Sequence, residues 1–262
     1  MYKERIYGSL IPLIINMNLN KDEFLKKIGD NEMAIKVFNA LSMALEYQIS
    51  VCTDIFITPN VYKKISDKYD NIYTYMRGYD RKQICFTPYE PEFNYTVIEI
   101  RINNKFREYT HKDFLGSIMG LNIKREMIGD IFVEDNIGYV LISNKVLDFV
   151  INNLKSIGKN DCDITQSERN DFSYNFKDIK INISSNRLDN FISDITNLSR
   201  SKATQLIEAG LVQIDYEICK EKNKEIRHND ILTIRKYGKY LVSEELEDSK
   251  KGKKRWIIKK YE

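Results

Sequence analysis

Apolar residues near the C-terminus change from helical to strand spacing within one stretch, residues 187–214. Apolar positions recur there at i, i+3, i+4 and i+7, which predicts a helix with one apolar face. A second group at helical spacing follows a polar break, and residues 211–214 then alternate as a strand does. The two predicted apolar faces consist of Leu188, Phe191, Ile192 and Ile195, and of Ala203, Leu206 and Ile207.

The second of these helices has suitable capping residues at both ends. Ser199 is of the kind that caps a helix N-terminus, and Gly210 suits the left-handed position at which a helix ends. The residues off the apolar faces carry hydroxyl, guanidinium, ammonium and amide donors near the helix N-termini, which is chemistry suited to phosphate. We therefore predict phosphate contacts from Arg187, Ser199, Arg200, Ser201, Lys202 and Gln205.

The whole chain predicts a multidomain α+β protein. The N-terminal part has helical apolar stripes, and the middle part reads as strand, helix, two strands, helix and strand, which is typical of a compact α+β domain. The alternation of Ile with polar residues over 178–183 also allows a strand that pairs with later ones. The predicted segments are 1–77 (mainly helical, α+β), 78–168 (α+β), 169–180 (linker), 181–245 (the domain around the two helices) and 246–262 (basic tail).

The distribution of charge along the chain says more about a binding partner than the net charge does. The formal net charge of +3 is too small by itself to indicate a nucleic-acid partner. However, residues 171–262 contain 19 Lys and Arg against 15 Asp and Glu, whereas the rest of the chain is slightly acidic. The positive excess in the C-terminal third favours a polyanionic partner there.

The cysteines and the apolar runs argue against a disulfide-stabilised, a metal-binding and a membrane-spanning protein. The four cysteines are scattered without a CxxC pair, so we expect reduced thiols and no metal site. The apolar run at 10–15 is far shorter than the roughly 20 residues that a membrane span needs. We therefore expect no signal peptide, no membrane partner and a cytoplasmic location.

Sequence signatures of common enzymes are absent. The chain has no GxGxxG, P-loop or nucleophile elbow, so we expect no catalytic residues, no cofactor and no small-molecule substrate. His111 and Asp113 could serve acid–base chemistry, but a histidine at a helix start more often caps or packs. Lys124 and Arg125 fit phosphate contacts about as well as a solvated, ion-paired turn.

The C-terminal pattern resembles a known RNA-binding family. Arg187-Leu188-Asp189 and Ser199-Arg200-Ser201, followed by Ala203, Leu206-Ile207 and Gly210, match the S-four-type domain, or alpha-L motif, of a small-subunit ribosomal protein. The match continues to residue 234. It implies that the domain binds RNA, and it makes the phosphate contacts predicted above RNA contacts. Asp215-Tyr216-Glu217 departs from the family's Asn-Gly-Lys hairpin, so we expect no RNA contact from that loop.

A second resemblance narrows the family. Residues 111–131, HKDFLGSIMGLNIKREMIGDI, resemble the signature of YlmH-type proteins with an S-four-type domain. It implies an RRM-like (RNA-recognition-motif-like) middle domain and tips Lys124 and Arg125 toward RNA. It also implies a non-enzymatic, ribosome-associated factor that binds ribosomal RNA, with tRNA as a further ligand, on the large subunit, and it links such factors to rescue of stalled ribosomes.

Three questions stay open at this point. An RNA-modifying enzyme that docks through the S-four-type domain is one alternative function, and a cell-division-associated interaction protein is another. The tail KKGKKRWIIKK, residues 250–260, fits an RNA-binding arm or a final strand equally well.

Overall fold

The computed structural model describes residues 19–29, 31–68, 74–102, 107–247 and 253–262. Contacts divide it into two compact units, residues up to Ile57 with Val61–Glu168, and Arg169–Glu262 with Thr58–Asn60. Over this part of the chain, no helix has the length and apolar character of a membrane span. The apolar run at 10–15 lies outside the described residues.

The first unit begins with helices packed on a small antiparallel sheet. Asn20 and Asn31 cap the first two helices by accepting hydrogen bonds from backbone amides. Phe24, Leu41 and Ile65 are fully or nearly fully buried in the shared core. The elements are α1 (Lys21–Ile28), α2 (Glu32–Tyr47), β1 (Val51–Cys52), α3 (Pro59–Lys68), β2 (Thr74–Gly78) and β3 (Lys82–Phe86), with strand order β1-β3-β2.

The same unit continues into a five-stranded antiparallel sheet. Its elements are β4 (Tyr95–Ile102), α4 (His111–Met119), a 3-10 turn (Arg125–Met127), β5 (Ile128–Glu134), β6 (Ile137–Ser143), α5 (Leu147–Asn153), β7 (Ser156–Ile157) and β8 (Asn160–Ser167). The strand order is β5-β6-β4-β8-β7. With β4 and β6 central and a helix after each, the RRM-like expectation is confirmed. Both helices pack on the face that carries Ile98, Ile100 and Val140.

The opposite face of this sheet is also buried. Phe132 and Tyr139, cross-strand partners there, are only 6% and 8% exposed. The ring of Tyr79, from the turn between β2 and β3, meets that of Phe132 edge to face at 4.7 Å, and Phe56 packs on Tyr95 at 5.5 Å. The N-terminal residues therefore cover the sheet face that an RRM-like domain leaves free for stacking RNA bases.

The second unit is one antiparallel sheet with two helices on one face. Its elements are β9 (Phe176–Ile183), α6 (Leu188–Thr196), α7 (Arg200–Glu208), β10 (Val212–Ile214), β11 (Glu217–Ile218), β12 (Ile231–Ile234), β13 (Gly238–Leu246) and β14 (Lys254–Tyr261). The strand order is β11-β10-β12-β13-β14-β9. The core includes Leu188, Phe191, Ala203 and Ile207 of the predicted faces, together with Trp256.

The segment boundaries differ from the sequence-based ones at three points. β3 completes the N-terminal sheet although it follows residue 77. Residues 176–180, assigned to a linker, belong to β9, and 254–261 of the tail form β14, its full-length partner. The sequence allowed a strand over 178–183 and left the tail open between an RNA-binding arm and a final strand. The pairing of β9 with β14 extends the first strand back to residue 176 and supports the strand for the tail. Residues 248–252 lie outside the described part of the chain.

Two cysteines also differ from expectation. Cys52 and Cys85 are disulfide-bonded, whereas we expected reduced thiols. They face each other in the register of β1 and β3, which a separation of 33 residues could not reveal. Cys162 and Cys219 are free thiols.

Two glycines of the 111–131 signature allow a matched test of packing. A Cβ on Gly129 would lie 2.7 Å from the Phe56 ring and 2.9 Å from Leu141 Cβ, whereas one on Gly116 meets nothing within 4 Å. We expect Gly129→Ala to lower the free energy of unfolding by about 1–3 kcal/mol through overpacking. Gly116→Ala, inside α4, should raise it by about 0.5–1 kcal/mol. Urea denaturation measures both, and equal effects would contradict this account.

Candidate nucleic-acid interface

A buried carboxylate lies at the centre of the predicted RNA-binding residues. Asp189, in the first turn of α6, is only 2% exposed. A charged carboxylate at such a position is costly unless cations and hydrogen bonds compensate it. Two arginines from different helix starts supply this compensation.

Arg187 and Arg200 bind the two oxygens of Asp189. Arg187, which precedes α6, donates from Nε to Oδ1 and from Nη2 to Oδ2, both at 3.1 Å. Arg200, the first residue of α7, donates from Nε to Oδ2 at 2.8 Å. Their side chains remain 38% and 53% exposed. The carboxylate thus fixes both guanidinium groups on one surface, which we call the arginine clamp (Arg187, Asp189 and Arg200).

The charge state of Asp189 follows from this arrangement. Burial acts to raise the pKa of the Asp189 carboxyl, but the hydrogen bonds and charges of Arg187 and Arg200 outweigh burial and hold the pKa below its ordinary value. Asp189 is therefore ionised at neutral pH, and the clamp keeps one net positive charge.

The other predicted residues of α7 lie beside the clamp. Ser199 caps the helix, because its Oγ accepts a hydrogen bond from the Lys202 amide at 3.4 Å. Ser201, Lys202 and Gln205 are exposed. Gln205 follows Ser201 by four residues and Lys202 by three, so the three side chains share one helix face. Five of the six predicted residues of this domain thus lie at neighbouring helix starts, and Gln205 lies one turn further along α7.

A lysine-bearing loop next to α6 was missed by the sequence reasoning. The backbone carbonyls of Lys224 and Lys222 accept hydrogen bonds from the amides of Leu188 and Asp189, at 2.9 and 3.0 Å. Both lysine side chains are exposed. The alternation of Lys with Glu over 220–225 was the available signal, and it resembles an ordinary solvated loop.

The same hydrogen bonds change one expectation about the helix N-termini. Because loop carbonyls occupy the first two amides of α6, those amides are not donors for a phosphate. At the start of α6, the donors that remain for a phosphate are therefore side chains.

Lys124 and Arg125 lie in the first unit and have internal partners. Lys124 Nζ lies 3.0 Å from Glu32 Oε1 of α2. Arg125 donates to the carbonyl of Ile128 and, at 3.3 Å, to that of Gly129. Within this unit, the Phe56 amide also donates to the Glu126 carbonyl at 2.7 Å. The geometry favours the ion-paired turn for Lys124 and Arg125, and RNA contact from them stays a prediction.

The candidate acid–base residues belong to a helix start. Asp113 Oδ2 accepts hydrogen bonds from the Thr110 amide at 2.9 Å and from the Thr110 hydroxyl at 2.8 Å. These hydrogen bonds lower the pKa of the Asp113 carboxyl. Asp113 thus forms the capping box of α4. Among the described residues, no three His, Cys, Asp or Glu side chains are grouped to hold a metal ion.

Two family models match this chain, one over the middle domain and one over the C-terminal domain. Residues 88–171 match the family described as "Putative RNA-binding domain in YlmH", and residues 186–232 match the S4 domain, the S-four-type family named above. The chain therefore contains a YlmH-type putative RNA-binding domain followed by an S4 domain. Its S4 domain carries the arginine clamp, and both matched families are RNA-binding.

Two known proteins are similar to this chain. The "Ribosome-associated protein quality control protein P2" of Bacillus subtilis (strain 168) is 28% identical over 187 residues, which span 67% of this chain and 73% of that protein. The solved structure of "Cell division protein ylmH from Streptococcus pneumoniae" aligns with 52% of this chain and 88% of that chain, at 22% identity and a TM-score of 0.45.

The clamp predicts a pH-dependent stability. We expect Asp189→Asn to lower the free energy of unfolding by about 2 kcal/mol at pH 7, because two hydrogen-bonded ion pairs lose their anion. A depressed native pKa stabilises the fold above the unfolded value of 3.8 and ceases to do so as pH falls through the lower native value. The difference between wild type and Asp189→Asn should therefore shrink below about pH 4.

Urea denaturation at several pH values measures this difference. Glu208→Gln, at the exposed end of the same α7, is the matched control and should change little. A difference that stayed constant down to pH 2.5 would show that the native pKa of Asp189 is not depressed.

Proposed function

We propose that this protein is a non-enzymatic, ribosome-associated RNA-binding protein that grips RNA phosphates through the arginine clamp and the exposed face of α7. The observation that carries the proposal is the fixed position of two guanidinium groups by a buried carboxylate. The RNA-binding character of both matched families supports it.

The clamp leaves donors for a ligand. In the described structure Arg200 uses only its Nε–H on Asp189, so both terminal nitrogens remain for a phosphate. A guanidinium can grip a phosphate with two parallel hydrogen bonds, which a lysine ammonium cannot do. Because Asp189 already orients Arg200, little side-chain freedom is lost on binding.

Neighbouring cations extend the same surface. Lys202 follows Arg200 by two residues, and the loop places Lys222 and Lys224 beside the start of α6. Such a set of donors recognises the RNA backbone and its shape more than base sequence. If three to five phosphates are neutralised, the logarithm of affinity should fall with that of salt concentration by about 0.7–0.9 per phosphate.

The middle domain contributes differently in this proposal. Its sheet face, where an RRM-like domain stacks bases, is filled by Phe56 and Tyr79. RNA binding by that face would require the N-terminal residues to leave. We therefore assign the main RNA contact to the S4 domain, and Lys124 and Arg125 to a secondary role at most.

The cellular role rests on the named relative. The Bacillus subtilis protein is described as a ribosome-associated quality control protein. By analogy, we propose that this chain binds ribosomal RNA of the large subunit, with tRNA as a further ligand, in the cytoplasm, and acts in rescue of stalled ribosomes.

Alanine substitution of the arginines is a poor test, because it would leave Asp189 buried without its cations. A better variant is Lys202→Glu with Arg200→Lys. Arg200→Lys keeps the positive charge beside Asp189 but loses the two-donor grip, and Lys202 is exposed with no role in the core. We expect the double variant to bind large ribosomal subunits at least 10-fold more weakly in co-sedimentation, with a shallower salt dependence.

The control is Lys177→Glu, a charge reversal at an exposed position of β9 in the same unit. It should co-sediment as the wild type does. The proposal fails if the double variant, with an unchanged thermal midpoint, co-sediments undiminished.

A further inference from the structure

The sheet of the second unit has a second face, opposite α6 and α7, that no proposed contact uses. Strand alternation assigns its residues: Trp256 and Ile258 point into the core, so Arg255, Ile257, Lys259 and Tyr261 of β14 point away from the helices. Register places Lys180 and Phe176 of β9 on the same side, opposite Ile257 and Tyr261.

Three aromatic rings cluster at one end of this face, and lysine ammonium groups lie near them. Phe176 and Tyr261 meet edge to face at 4.9 Å, and Tyr174 meets Tyr261 at the same distance. Lys239 Nζ, at the start of β13, lies 4.1 Å from the Tyr261 ring centroid and 5.4 Å from that of Tyr174. We call this set the aromatic–basic face: Tyr174, Phe176, Lys180, Lys239, Lys259 and Tyr261.

The two lysines near the rings, Lys239 and Lys259, have further contacts on this face. Lys239 also donates to the Tyr216 hydroxyl at 2.5 Å, and Lys259 lies 5.6 Å from the Phe176 ring centroid. The rings are half-buried, and Lys180 is exposed. On β9, β13 and β14 the cations Lys180, Lys239, Arg255 and Lys259 outnumber the anions Asp178 and Glu244 on this side.

We propose that the aromatic–basic face binds unpaired nucleotides of RNA, as a second contact on the side of the sheet opposite the helical surface, an inference that rests on the RNA-binding function proposed above. A cluster of partly exposed rings flanked by cations on a sheet face is the chemistry that binds single strands, because bases stack on rings while phosphates meet ammonium groups. The basic C-terminal segment thus acts as a strand that carries part of a binding face.

The test compares charge reversals on the two sides of the same two strands. Lys180→Glu with Lys259→Glu changes the aromatic–basic face. Lys177→Glu with Lys260→Glu changes cross-strand partners on the helical side of β9 and β14, and is the matched control. The probe is a fluorescein-labelled oligouridylate of about 12 nucleotides, and binding to the full chain is followed by fluorescence anisotropy.

We expect the first pair to weaken oligouridylate binding at least 10-fold and to reduce the salt slope by about 1.4, or 0.7 for each lost phosphate contact. The control pair should weaken binding less than 2-fold. Lys180→Gln with Lys259→Gln, a milder change, should give an intermediate loss, which guards against an effect of misfolding.

Crosslinking gives an independent readout. Irradiation of a complex with a 4-thiouridine oligonucleotide should attach RNA to Tyr174, Phe176 or Tyr261. Equal effects of the two charge reversals, or crosslinks confined to α7, would overturn the proposal. The proposal would also be overturned if the wild type bound no oligouridylate but captured an acidic protein that the Lys180→Glu with Lys259→Glu variant did not capture. If Arg200→Lys with Lys202→Glu loses ribosome binding but retains oligouridylate binding, the two surfaces bind RNA independently, as proposed.

Discussion

A carboxylate that is buried and still charged requires cations that cannot move away, and Asp189 imposes this constraint on the C-terminal unit. It binds the residue before one helix to the first residue of the next. The orientation of both guanidinium groups therefore depends on one side chain, whereas the helices themselves also pack through a shared apolar core. Removal of Asp189 would leave two cations without their shared anion, and removal of either arginine would leave the buried carboxylate with a single cation, so the three residues depend on one another structurally.

Burial also decides what the middle domain can do. Its strand order is that of an RRM-like fold, whose open sheet face usually stacks bases. Here Tyr79 and Phe56 occupy that face, and Gly129 lets the Phe56 ring approach the sheet closely. The 111–131 signature thus contributes to packing, through Gly129 and the turn at Lys124 and Arg125, and its resemblance to an RNA-binding domain does not by itself locate an RNA contact.

The C-terminal sheet combines two surfaces on opposite sides. The helical side carries the arginine clamp, and the other side carries rings and lysines that β9 and β14 bring together. Backbone pairing over the full length of these two strands makes this arrangement stable. β14 lies between β13 and β9, and β9 is the edge strand whose backbone pairs only with β14.

Apolar periodicity and the S-four-type pattern were enough to predict both helices of the clamp and the Ser199 cap, because capping and amphipathic spacing are local properties of the chain. The same reasoning identified Arg187 and Arg200 but gave no role to Asp189, since a pairing across 11 residues and two helices leaves no local signal. Residues 176–180 were assigned to a linker and 254–261 to a tail, although the alternation of Ile over 178–183 allowed a strand and the tail was left open between an arm and a strand. Which strands these segments pair with was not evident locally. Only the tertiary structure decided these points, because strand pairing, sheet coverage and the charge of a buried carboxylate depend on residues that are distant in sequence.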